Sequence, residues 1–241
     1  MKSIIQNEGY SLAAFPDETL LLIADCLEPQ SVSRLARSCR RYYEGLTPIL
    51  YREPSIQSMA SLNEFLKTVK SSASLASLVL EFRTAAIAYR WSDFKPAHLQ
   101  TLSEHCRNLE FLELDTIRFD GQWTVSELPR LKALRLELLN ISGEDLVTLL
   151  LSFWRGNPAI SELALVHLHE LRDYHLSKIA EGFKQLTILD VSSNFRITEI
   201  SVTKLIEECQ TLKFLDLSHC AVILEPGLID SVKNRLEIVI D

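Results

Sequence analysis

The chain has 241 residues, 47% of them hydrophobic and 24% charged, with a formal charge of −7. That length suits one sizeable domain or a small module beside a larger one, and the acidic balance argues against nucleic acid or an anionic membrane as main partner. With no apolar run near the roughly 18 residues of a membrane span, no signal-peptide core after Ile4-Ile5, and five cysteines lacking a Cys-x-x-Cys pair, the expected compartment is cytoplasmic or nuclear.

Helical signals come first. Phe15-Pro16-Asp17-Glu18 opens a helix: proline suits the first turn and the acids suit its positive end. Leu20, Ile23 and Leu27 fall at helical spacing, and Leu21 and Leu22 widen the apolar stripe. Glu28-Pro29-Gln30 is expected to break this helix, with Ser31 as N-cap of the next. That second helix is expected to carry Val32, Leu35, Ala36 and Cys39 on one side and Arg34, Arg37, Arg40 and Arg41 elsewhere. Pro48 is expected to end the stretch, and Ile49-Leu50-Tyr51 to anchor it. Some 40 residues in three short helices bury too little surface to be robust alone, so the broad stripe invites a partner helix.

A second segment, Ile56 to Lys70, places Met59, Leu62, Phe65, Leu66 and Val69 on one helical face. It reads as a rigid connector capping the first unit of a repeating region. The divisions expected are 1–53, 54–73 and 74–241.

From Leu75 onward the pattern apolar-x-x-apolar-x-apolar returns seven times. It starts at Leu75, Leu109, Leu131, Ile160, Leu186, Leu212 and, curtailed, Leu236. A period in the twenties means one strand and one return element per repeat, which builds a solenoid. Return helices are expected over 96–106, 143–154, 174–183, 199–209 and 226–233. Residues two apart in a strand share a face, so the leucines line a core and the residues between them face solvent. Two further columns support the register. Cys106, Leu128, Phe183 and Cys209 lie three residues before a strand start. Asn194 and Cys220 lie where an inward side chain can bond the backbone at a strand end. The segment 82–95, with Arg83, Tyr89, Arg90, Trp91 and Phe94, is an insertion: an extra helix or a partner-binding loop. A strand over 236–240 would leave an edge open to another chain.

The phrases Leu186-Thr-Ile-Leu189-Asp-Val191-Ser-Ser-Asn194 and Leu212-Lys-Phe-Leu215-Asp-Leu217-Ser-His-Cys220 resemble cysteine-containing leucine-rich repeats. The N-terminal residues resemble an F-box. Phe15-Pro16 stands where that family has Leu-Pro. Ser38-Cys39-Arg40-Arg41-Tyr42 is similar to its Val-Cys-Arg-Arg-Trp, and Tyr51-Arg52 replaces its closing Trp-Arg. Thr19 stands for a usual Leu and Ser31 for a usual acid. The fold class expected is α/β: a small all-α F-box of three short helices, then a leucine-rich-repeat solenoid of about six to seven strand–helix units with a curved parallel sheet.

The resemblance implies a non-catalytic substrate-recognition subunit of a Skp–cullin–F-box ubiquitin ligase. The F-box would bind the Skp adaptor, and through it cullin and a RING subunit, while the repeats would choose the substrate. Adaptor contacts expected are Phe15, Pro16, Leu20, Ile23 and Leu27. The expected substrate face is the outward strand positions: Glu81, Phe111, Glu113, Asp115, Arg135, Glu137, Glu162, Asp190, Phe214 and Asp216. Seven acids against one base there favour a basic protein partner, although acids also keep an exposed sheet soluble. The alternative is a protein-interaction scaffold outside any ligase, with an F-box-like helical cap.

Chemical constellations are sparse. His167, His169, Asp173 and His175 cluster near the fourth strand without a thiolate or second carboxylate at ligand spacing. The cysteines fit core positions, no Cys/His pair follows from spacing, and the seven glycines form no phosphate loop. No cofactor, metal, nucleic acid or membrane is called for.

Overall fold

The structure is a computed structural model that describes residues 16–119, 123 and 125–240. Contacts divide it into two compact units, Met1–Tyr51 and Arg52–Asp241.

The first unit holds α1 (Asp17–Asp25), α2 (Pro29–Ala36) and most of α3 (Arg40–Arg52). Leu20 and Ala24, one turn apart on α1, meet Val32 and Ala36, also one turn apart on α2, with Tyr42 and Leu46 of α3. The Arg41 guanidinium holds the Asp17 carboxylate at 2.7 Å. Three boundaries depart from expectation: α2 ends at Ala36, so Arg40 and Arg41 open α3 instead of lying on the second helix. Glu28, not Ser31, is the N-cap of α2, because Pro29 fits the first helical position, whose N–H has no partner to lose. Pro48 lies inside α3 rather than ending it. Packing of Leu46, Ile49 and Leu50 on the core outweighs the lost hydrogen bond.

In the second unit seven strands run parallel in chain order. They are β1 (Glu81–Arg83), β2 (Phe111–Asp115), β3 (Ala133–Glu137), β4 (Glu162–Val166), β5 (Ile188–Asp190), β6 (Phe214–Asp216) and β7 (Glu237–Val239). Before the sheet come α4 (Met59–Ser71) and α5 (Ala73–Ala76). The connections carry α6 (Arg90–Asp93), α7 (Pro96–His105), α8 (Gly143–Gly156), α9 (Asp173–Gly182), α10 (Glu199–Glu208) and α11 (Pro226–Val232). Parallel neighbours need a crossover, and here each crossover turns the chain back to begin the next strand beside the last. The result is an α/β solenoid. Leu112, Leu134, Leu163, Leu189 and Leu215 stack in register and are at most 1% exposed.

The first repeat is displaced from its expected place. Phe82 pairs with Leu112, so the strand phrase is Val79-x-x-Phe82-x-Thr84 and not Leu75-x-x-Leu78-x-Leu80. Val79, Phe82 and Thr84 are buried, whereas Leu75 sits in α5 and Leu78 and Leu80 are half-buried. Thr84 fills a leucine position because its hydroxyl accepts the Asp115 N–H at 2.7 Å. The last repeat also slips by one residue. Ile238 pairs with Leu215, which puts Val239 beside Asp216 on the outward face.

Polar columns lock the repeats together. Asn194 is 1% exposed; its amide donates to the Leu165 and Val191 carbonyls and its oxygen accepts the Leu168 N–H. Cys220, one repeat on, donates to the Val191 carbonyl. Asn157 occupies the column of Cys106 and Cys209 and binds the Leu128 N–H of the preceding repeat. Thr116, Leu138, His167 and Ser193 all have φ between 52° and 60°. Each donates its N–H to a carbonyl of the next repeat, at 2.8 to 3.1 Å. Left-handed backbone costs about 1–2 kcal/mol per non-glycine residue, and here it extends the ladder past each strand end.

The segment 82–95 is structural. Arg90 donates to the Asp115 carbonyl and carboxylate and to the Ile87 carbonyl, while Phe94 is buried against Trp123. Tyr89 and Trp91 remain on the surface. Phe65 of α4 stacks on Phe82 at 6.1 Å, so α4 covers the first repeat.

Candidate functional site

On α1 the run Leu20-Leu21-Leu22-Ile23-Ala24 is too continuous to bury around a helix, since successive residues turn by about 100°. Leu20, 3% exposed, goes into the unit's own core. This corrects its assignment as an adaptor contact: a side chain enclosed by Ala24, Val32 and Leu46 offers no surface. Ile23 is half-buried and Pro16 exposed. The apolar side chains left to solvent are Leu21 and Leu22 of α1, at 40% and 67% exposure, and Leu27 just past its end, at 38%. Phe15 lies outside the described residues.

The outward face of the sheet separates into two halves. Over β1 to β3 the acids are paired. Arg83 reaches Glu53 and Glu81 at 2.8 and 2.9 Å and Glu113 at 3.6 Å, and it stacks on the Phe111 ring at 4.1 Å. Arg90 grips Asp115 at 2.6 Å, and Arg135 grips Glu137 at 2.7 Å. Glu113 and Asp115 are consequently buried, at 8% and 9% exposure, rather than offered to a partner. The expected acidic excess leaves out Arg83 and Arg90, which lie in or beside the first strand that the leucine pattern misplaces.

Over β4 to β6 the charge is less compensated. Asp190 and Asp216 are paired neighbours, and Arg135 lies 3.7 Å from Asp190. Each carboxylate accepts the N–H of the serine two residues on, which fixes its direction. Glu162 is exposed, and Ile188 and Phe214 stand side by side in the adjoining row. This half offers apolar area flanked by fixed carboxylates.

Residues 12–57 match the family described as F-box-like. An F-box-like domain therefore precedes a leucine-rich-repeat-like α/β solenoid. Two solved structures resemble the chain in part. Internalin C2 from Listeria monocytogenes is 12% identical, with 88% of this chain and 92% of that one covered and a TM-score of 0.49. A Bacteroides fragilis protein is 12% identical, with 74% of this chain covered and a TM-score of 0.44. The chain spans 60% of the length of the Bacteroides protein. No curated protein matches the chain.

The remaining polar candidates have structural partners. In the F-box-like module Cys26 and Cys39 are exposed, contrary to the core position expected for Cys39, because α2 ends at Ala36. In the repeats, burial pushes the Cys106 thiol up to about 12 and raises Cys209 and Cys220, so these are poor nucleophiles. His175 is buried: its Nδ1 accepts the Arg172 N–H at 3.0 Å, which leaves the Nε2 proton to donate to the Gly143 carbonyl at 3.0 Å. His167 and His169 meet edge to face. Among the described residues no group of three metal-ligating side chains converges, and no helix is long and apolar enough to cross a membrane.

Asp173 is a sequence neighbour of those histidines with a different task. Its carboxylate accepts the Thr198 N–H at 2.7 Å, the Thr198 hydroxyl at 2.8 Å and the Ser201 hydroxyl at 2.6 Å. It caps α10 from the preceding repeat. Partial burial works to raise its pKa, but these donors prevail and hold the carboxyl below its ordinary value.

Proposed function

We propose that this chain is the substrate-recognition subunit of a Skp–cullin–F-box ubiquitin ligase, with the F-box-like module bound to the Skp adaptor and the repeats bound to a protein substrate. The observation that carries the reading is the exposed Leu21 and Leu22 of α1, with Leu27 just past its end, in a module matched as F-box-like. Two solvent-facing leucines on one short helix and a third just beyond it are a cost unless a partner covers them. Pro16 and Ile23 border this surface and join it in the docking proposal, as does Phe15.

The repeat half of the reading is supported by the outward rows of β4 to β6. Ile188 and Phe214 supply apolar contact, and Glu162, Asp190 and Asp216 favour a basic substrate segment. Arg135 and Glu137 of β3 border this area, and Phe111 and Glu81 lie further along the same outward face; Arg135, Glu137 and Glu81 have charges already paired. The chain itself performs no covalent step. Its contribution is proximity: fixing a substrate lysine near a charged conjugating enzyme raises the effective concentration of the reacting groups.

Co-expression with a Skp adaptor, cullin and RING subunit, followed by size-exclusion chromatography, tests the assignment. Cullin is expected to co-elute with the wild-type chain through Skp and to be lost from Leu21→Asp/Leu22→Asp. Skp retention without cullin would favour a scaffold outside any ligase; failure to retain Skp would remove the reading.

A further inference from the structure

The helical layer of the second unit contains a groove that neither the adaptor nor the strand-face reading uses. It lies between α10 and α11 and encloses about 570 Å³. Ile200 and Leu228 provide its apolar lining; Glu199, Lys204, Glu207 and Glu225 stand around them.

The gap has a local cause. Earlier helices in the layer pack tightly: the Trp154 ring of α8 lies against Gly182 of α9, so close that a Cβ there would meet it at 2.7 Å. α11 has seven residues where α10 has ten, and a Cβ built on its Gly227 would meet nothing within 4 Å. The shorter helix therefore leaves part of α10 uncovered. Ile200 is 82% exposed, and Ile223, three residues before α11, is 86% exposed. Among the described residues no large apolar side chain is more exposed than Ile223.

Charge then selects the occupant. Lys204 already faces Glu208 at 3.6 Å; Glu199 accepts the Glu225 N–H at 3.2 Å, and Glu199, Glu207 and Glu225 take part in no ion pair among the described residues. Three uncompensated carboxylates around an apolar lining disfavour an acidic ligand and attract ammonium or guanidinium groups. We propose that the α10–α11 groove docks a short amphipathic segment of another protein, with aliphatic side chains seated on Ile200 and Leu228 and lysine or arginine side chains reaching Glu199, Glu207 and Glu225. The proposal is independent of the ligase assignment, since it uses no residue of the F-box-like module and none of the strand face.

Two short synthetic peptides, with leucines at helical spacing and all other positions lysine or all glutamate, test it by fluorescence anisotropy against the full chain. The lysine peptide is expected to bind. Ile200→Asp and Glu207→Lys are each expected to weaken it by about tenfold, while Glu104→Gln on α7, outside the groove and the strand face, leaves it unchanged. Because Ile200 and Glu207 are exposed, both variants are expected to keep the wild-type circular dichroism. Equal binding of the glutamate peptide, unchanged affinity in both groove variants, or an equal loss in Glu104→Gln would each overturn the proposal.

Discussion

Six side chains, Leu20, Ala24, Val32, Ala36, Tyr42 and Leu46, form the buried apolar cluster of the F-box-like module, each from a different place in a non-repeating sequence. In the repeats the same leucine position recurs from β2 to β6, and each copy packs between two near-equivalents. The module has no such redundancy. One of its six members also carries a flaw: the Tyr42 hydroxyl is buried without a hydrogen-bond partner among the described residues. In the repeats Asn194 is bonded from several sides, and the one comparable flaw among the described residues is the Trp123 Nε1, outside the stacked strands. The lesson is that the repeats are built to stand by stacking, whereas the module spends apolar area on the outside, at Leu21, Leu22 and Leu27, where a partner can cover it.

Core truncations probe this contrast most strongly. Leu20→Ala and Leu215→Ala should each cost about 2–5 kcal/mol, the range for buried leucine. Urea unfolding followed by circular dichroism is expected to show Leu20→Ala moving a module transition and Leu215→Ala a repeat transition. A single shared shift would break the comparison. Gly182→Ala follows, at about 1–3 kcal/mol, because the added methyl runs into Trp154. The sign is informative, since alanine in an unobstructed helix would stabilise.

Asp173→Ala removes a cap between repeats and should cost about 1–2 kcal/mol. Its carboxyl pKa is depressed in the folded chain, so the stabilisation is present above the unfolded value of about 4 and is lost as pH falls towards the lower folded value. Thermal melts across that range should show wild type losing stability more steeply than the variant; parallel curves would deny the cap its charge. The smallest effect is of opposite sign. Tyr42→Phe should stabilise the module by about 1 kcal/mol by removing an unpaired buried hydroxyl. A loss of stability would mean that the hydroxyl has a partner after all.

The repeat architecture was legible in the sequence wherever the leucine phrase was intact, and the expected return helices match α7 to α11 within about two residues at each end. It failed at the ends of the solenoid. Leu75, Leu78 and Leu80 satisfy the pattern better than Val79, Phe82 and Thr84, but Thr84 is chosen by a hydrogen bond to the next strand that no hydropathy pattern contains. The one-residue slip at Ile238 has the same origin, since spacing alone does not fix pairing. On α1 five consecutive apolar residues do not reveal which face turns inward. That depends on Val32 and Ala36 of α2. The pairing of Arg90 with Asp115 and the cap from Asp173 to Thr198 join residues about one repeat apart. They become visible only once the register is known.

We place adaptor capture in the exposed leucines of α1, separable from the repeats. Calorimetric titration of a purified Skp adaptor into the full chain tests this most directly. Leu21→Asp/Leu22→Asp is expected to weaken binding by roughly a hundredfold or more, with Asp190→Lys/Asp216→Lys indistinguishable from wild type. Undiminished affinity in the leucine variant, or a comparable loss in the strand-face variant, would contradict it.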